Sequence, residues 1–215
     1  MRKDNYIMLE LLAFWAIGFS VFSLFVINHI IDGFDMLVST WVQSIRSDML
    51  IQLSNILATV GAPKPLVRAA IGVAVLGMGT VFLFRRQRFN YLAPQFIVFG
   101  AINILAFYNN HWLKNLFHRS RPMEHFASYS YPSGHAMVSF VFYMTAAYLL
   151  WLNIPSKAGR VIIMLVCCLI TLLIGLSRVY LGVHYPSDII GGYFAGGVIV
   201  WVIAILLRWQ QRRLN

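Results

Sequence analysis

The chain is a succession of apolar runs separated by short polar joints, and several runs approach the roughly 20 residues that carry a helix across a bilayer core. Backbone amides in hydrocarbon have no water to bond, so such runs are confined to segments that satisfy their own hydrogen bonds, which means helices. Hydrophobic residues make up 60% of the 215 and charged residues 11%, too apolar a balance for a soluble domain of this size. The expected fold is an all-α integral membrane protein, a single domain over residues 1–215 without internal repeat or linker.

Six spans are expected, at about Tyr6–Ile30, Leu66–Phe84, Tyr91–Phe117, Gly134–Leu152, Val161–Leu181 and Ile189–Leu207. Arg2 and Lys3 precede the first run in the manner of a signal sequence. The run is too long for a signal core and has no A-x-A site, so an uncleaved span is expected. The net charge of +10 is distributed rather than clustered. Arg2, Lys3, Arg85, Arg86, Arg88, Lys157, Arg160, Arg208, Arg212 and Arg213 occupy alternate joints and the termini, which by the positive-inside rule puts both termini in the cytoplasm. Arg46, Lys64 and Arg68 fall on the other side, a mild cost. With no soluble basic domain, no nucleic-acid partner is expected. Cys167 and Cys168 are adjacent in an apolar run and read as core residues, neither a clamp nor a metal site.

Between the first two spans, Phe34, Leu37, Val38, Trp41, Val42 and Ile45 recur at helical spacing, with Asp35, Ser39, Gln43 and Ser44 off that face. This segment is too short to cross and is expected to lie flat at the extracytoplasmic surface, passively or as a lid for lipid. A second short apolar patch, Leu50–Val60, ends at Gly61-Ala-Pro63.

Three strings in the second half carry the chemistry: Lys114-Asn-Leu-Phe-His-Arg-Ser-Arg121-Pro122, Pro132-Ser133-Gly134-His135, and Ser177-Arg178 followed after five residues by His184-Tyr-Pro-Ser-Asp188. The six-span layout puts all three on the extracytoplasmic side. Charged groups at a membrane boundary are costly and tend to be functional. Ser133 suits an N-cap, Gly134 admits close backbone approach, and the first-turn N–H groups of such a helix bind anions. Asp188 lies four residues after His184, within reach of one ring nitrogen, leaving the other to attack. The candidate site is therefore His184 as nucleophile, Asp188 as its orienter and His135 as acid and base. Lys114, Arg121, Ser133, the Gly134 N–H and Arg178 form an oxyanion cradle. No carboxylate cluster offers a two-metal site, so no metal and no cofactor is expected.

As a set, these strings resemble the three-part signature of the type 2 phosphatidic acid phosphatase superfamily, with no departure at the matching positions over residues 114–188. The resemblance implies a phosphohistidine mechanism: His184 attacks phosphorus, and His135 protonates the leaving oxygen and then activates water. It implies a bacterial plasma-membrane lipid phosphatase, facing the extracytoplasmic side, acting on undecaprenyl pyrophosphate or phosphatidylglycerol phosphate. A lipid phosphotransferase using the same site and a non-hydrolytic phospholipid carrier are the alternatives. Ser177 is expected to pack or to bond in support.

Other features have plainer readings. His111, His118 and His125 recur every seven residues, but only a helix running past Pro122 aligns them for a metal. His118, Arg119, Glu124 and His125 read first as a solvated loop and second as head-group contacts. Gly191, Gly192, Gly196 and Gly197 read first as close packing within the bundle and second as a dimer face. Oligomeric state is left open.

Overall fold

The computed structural model describes residues 3–84, 93–123 and 128–214. Among these are eight helices and no strand: α1 Lys3–Ile27, α2 Asp32–Ser44, α3 Asp48–Val60, α4 Pro63–Phe84, α5 Ala93–Phe117, α6 Gly134–Asn153, α7 Lys157–Tyr180 and α8 Pro186–Leu214. The Arg85–Arg88 run, the start of the third expected span, Glu124 and His125 lie outside the described residues, as does Arg2. So do the side chains of Arg212 and Arg213.

Among the described residues, four stretches are long and apolar enough to cross a membrane: Tyr6–Ile27, Gly134–Asn153, Lys157–Tyr180 and Pro186–Arg208. Asp48–Val60 and Pro63–Thr80 qualify only together, as a pair bent by 41°. The break falls where the Gly61-Ala-Pro63 sequence interrupts the ladder, because proline lacks the N–H that a helix interior needs. The remaining long helix, α5, has the required length but carries Asn103, Asn109, Asn110, His111 and Lys114, which lower its hydropathy. Among the described residues, four of the six expected spans are thus long and apolar enough alone, the Leu66–Phe84 stretch qualifies only joined to α3, and α5 does not qualify.

Helix α6 is central: it packs on α5, α7 and α8, while α1 packs on α8 and α3 on α7. The glycines of α8 make these approaches possible within the chain. A Cβ at Gly192 would meet Ala136 and the Ser133 carbonyl of α6 at 2.9 Å, and one at Gly196 would meet the Met137 carbonyl at 3.1 Å. Gly191 faces the fully buried Tyr131 ring, and Gly197 faces Trp15 of α1. Cys167 is buried against Met144 and Ala147, as a core residue.

The helix ends obey local rules. Ser133 caps α6, its hydroxyl accepting the Ala136 N–H at 3.4 Å, and Ser156 caps α7 through Gly159 N–H at 3.3 Å. Pro186 opens α8, where no intrahelical donor is required.

Helix α2 forms where the apolar periodicity predicts it, and the bundle covers its polar side more than its apolar stripe. Asp35 is buried, and Val38, Ser39, Val42 and Gln43 are half-buried, whereas Phe34, Leu37, Trp41 and Ile45 are exposed. Polar residues share the inward face because the bundle offers them partners: Gln43 donates to the Tyr180 carbonyl at 3.3 Å, and Asp35 is bonded to Ser187.

Candidate active site

The three strings converge at one end of the bundle. A cavity of about 520 Å3 is lined by Lys114, Arg121, Gly134, His135 and His184, together with Asn110, His111, Ser128 and the start of α4 at Ala62–Pro65.

His184 sits in the turn between α7 and α8, after Gly182, whose φ of +73° favours glycine. The helical start at Pro186 brings Asp188 back over it. The His184 ring is 3% exposed, and its Nδ1 lies 3.2 Å from Asp188 Oδ2. The same carboxylate oxygen accepts the Tyr185 N–H at 2.9 Å and the Ser130 hydroxyl. An Nδ1–H donated to Asp188 leaves Nε2 with its lone pair, and Nε2 faces Arg121 Nη1 at 3.3 Å. Burial pushes the His184 pKa from 6.5 down to about 4; Asp188 opposes the shift, and Lys114 and Arg121 add to it. The ring is therefore neutral at neutral pH, the form with a lone pair to use.

Helix α5 ends at Phe117 and His118 takes φ +50°, so Lys114 and Arg121 do not share a helical face. They meet because the chain folds back. Lys114 donates to the carbonyls of Tyr129 and Ser130. Arg121 donates to the Ser128 carbonyl at 2.8 Å, the Ser128 hydroxyl at 2.9 Å and the Val183 carbonyl at 3.0 Å. Burial holds the Arg121 pKa below its usual value, with Asp188 opposing the shift. The end of α5 at Phe117 also takes His118 out of the helix that carries His111; His125, the third of that series, lies outside the described residues.

His135 stands in the first turn of α6, on the cavity wall and within electrostatic range of Arg178, His184 and Arg121. Arg178, near the end of α7, keeps a buried Nε with no hydrogen-bond partner, an unspent donor beside the cations. Gly134 is packed so tightly that a Cβ would stand 2.9 Å from Asn110 Oδ1. Asn110 in turn donates to the Pro132 carbonyl at 3.1 Å and fixes the turn before α6. Ser133, expected in the cradle, is fully buried; it caps α6, and its N–H donates to the Asp188 carbonyl at 3.0 Å. Its contribution here is to tie α6 to α8. Ser177 donates to the Ile174 carbonyl of its own helix at 2.6 Å.

Several residues of the site escaped the sequence reading. Arg119, expected in a solvated loop, is instead bonded to Asp188 at 2.9 Å and to Asp35 at 2.7 Å. The loop holds it inside because two buried carboxylates require a cation. Its pKa is raised: burial acts to lower it, and Asp188 and Asp35 outweigh that. Ser130, Ser187 and Asn110 were also missed. The one signal that could have found Asp35 and Arg119 is the rule that charges beside apolar segments need partners, and it does not say which partners meet.

Residues 95–212 match the PAP2 superfamily. Phosphatidylglycerophosphatase B of Bacillus subtilis (strain 168) is 31% identical over 133 residues, 61% of this chain and 64% of its own length. The putative undecaprenyl-diphosphatase YbjG of Escherichia coli (strain K12) is 35% identical over 88 residues, 41% of this chain and 39% of its own. The matched stretches thus span less than two thirds of these curated relatives. The crystal structure of a transmembrane PAP2-type phosphatidylglycerolphosphate phosphatase from Bacillus subtilis superimposes with a TM-score of 0.69 at 26% identity, covering 89% of this chain and 94% of that one. The apolar helices and this likeness make the chain a multi-pass membrane protein. Because the matched region includes more than half of the chain and all three strings, the chain belongs to the PAP2 superfamily.

Proposed function

We propose that the chain is an integral-membrane lipid phosphatase that works through a phosphohistidine on His184. The observation that carries this reading is the buried His184–Asp188 pair, with Nε2 turned toward Arg121 in a cavity that Lys114 and His135 also line. Nε2 attacks phosphorus and the bond to the leaving oxygen breaks as His135 gives that oxygen a proton. Water then attacks the phosphohistidine, His135 takes a proton from it, and inorganic phosphate leaves with the His184 ring restored. Charge on the transferring group is met by Lys114, Arg121, Arg178 and the N–H groups of Gly134 and His135 at the head of α6. Three cations do here what a divalent metal does in other phosphatases, so the reaction needs none.

Two relatives are named for phosphatidylglycerophosphate and undecaprenyl diphosphate, and these are the proposed substrate classes. The proposed topology has six spans, α3 with α4 and α5 completing the four apolar ones, and both termini in the cytoplasm of a bacterial plasma membrane. The site then faces the extracytoplasmic side. The test is phosphate release in detergent with EDTA from phosphatidylglycerol phosphate, undecaprenyl pyrophosphate and phosphatidic acid, wild type against His184→Ala. Release that resists EDTA and vanishes in the variant supports the reading; release that persists in the variant overturns it.

A further inference from the structure

We propose that Asp35 and Arg119 are positioning residues for the His184–Asp188 pair, a brace reaching from helix α2 to the catalytic carboxylate. The inference rests on His184 being the nucleophile. Asp188 Oδ2 is occupied by His184, Ser130 and the Tyr185 N–H, and its Oδ1 takes Arg119 Nη1 at 2.9 Å. The second terminal nitrogen of Arg119, Nη2, donates to Asp35 Oδ2 at 2.7 Å. Asp35 closes the ring on α8: Oδ1 accepts the Ser187 N–H at 2.9 Å, and Oδ2 accepts the Ser187 hydroxyl at 2.5 Å. That hydroxyl also receives Arg119 Nη1 at 2.6 Å. The guanidinium lies over the Tyr185 ring at 4.5 Å, which fixes its plane.

A buried ion-pair network is poor value for stability alone, since desolvation cancels most of its attraction. This one ends on the carboxylate that aims the imidazole, and small errors of aim are costly in rate. Arg119 is not on the cavity wall, and both of its terminal nitrogens are engaged, so it is not a phosphate ligand. Its charge is balanced on one side by Asp35, with Asp32 at 3.5 Å, and on the other by Asp188. The charged and titratable groups facing His184 are Asp188 from α8, Lys114 from α5, His135 from α6 and Arg121 from the loop before α6. Arg119 and Asp35 act on it only through Asp188.

The test is steady-state hydrolysis of phosphatidylglycerol phosphate across pH by purified, monodisperse Asp35→Asn and Arg119→Gln. Both are expected to lose on the order of ten- to a hundredfold in kcat, as partners that orient metal-bound histidines do, with little change in KM. Their acid limbs are expected to move in opposite directions. Without Arg119, Asp188 acts undiluted on His184 and the limb rises; without Asp35, the Arg119 charge is less compensated and weighs more on Asp188, so the limb falls. Asp35→Glu is expected to recover part of the loss. A merely structural brace gives parallel losses of folded protein with unchanged kcat and an unmoved limb, and that result overturns the proposal. Where either variant fails to fold, Arg119→Lys decides, because it keeps the charge and loses the fork; unchanged kcat there also overturns it. If His184→Ala is inactive while these variants are fully active, only the brace fails. If His184→Ala is active, the proposed function itself fails.

Discussion

Arg119 and Arg121 are two residues apart on one loop and do opposite work. Arg119 lies behind His184, where Asp35 and Asp188 neutralise its charge and raise its pKa. Arg121 lies in front, on the cavity wall, with oxygens of Ser128 and Val183 among its partners, and burial lowers its pKa. Arg119 is paired with carboxylates, and on the proposed reading that side of the site sets geometry. Lys114, held by carbonyls, lines the cavity with Arg121, and on the same reading this side meets the incoming anion.

The comparison breaks first at the nucleophile that separates the two sides. His184→Ala is expected to lower turnover by about 10^4 or more, with loss of an acid-labile phosphoprotein in a labelled-substrate quench. Next, Arg121→Ala is expected to cost about 10^2–10^3 in kcat and to weaken inhibition by inorganic phosphate. The Arg119 variants should leave phosphate inhibition near wild type; equal weakening in both would erase the distinction between front and back. A smaller effect sharpens the electrostatics. The wild-type acid limb assigned to His184 is expected near pH 4, and Arg121→Gln should raise it, since Arg121 helps to hold that pKa down. The fold keeps His184 neutral, so its contribution to stability is full above about pH 6.5 and is lost as pH falls toward 4. Melting in detergent over that window checks the sign. Smallest of all, Ser177→Ala should change kcat by no more than about twofold, because its hydroxyl serves its own helix.

The front of this site was legible in the sequence and the back was not. Lys114, Arg121, Gly134, His135 and His184 are read from short-range spacing at helix ends, and all line the cavity. The His184–Asp188 contact follows from one helical turn. Asp35 meets Ser187 across 152 residues of chain, and no local pattern encodes such a pairing. The apolar stripe of α2 was legible, and its Leu37 and Trp41 stay exposed; what the sequence left unsaid is which partners the polar residues between them meet, as Asp35 meets Ser187 and Gln43 meets Tyr180. The polar last third of α5 is plain in its sequence, and its Asn110 and Lys114 are buried.

The 3.3 Å approach of Arg121 Nη1 to His184 Nε2 has a consequence for when the enzyme can react. That N–H is aimed at the atom proposed to attack phosphorus, so under the proposed mechanism an anion that draws the guanidinium onto its own oxygens would also uncover the lone pair. On that reading a neutral ester would leave the nucleophile covered, and the charge of the phosphate would serve both as the handle that is gripped and as the signal that arms the histidine.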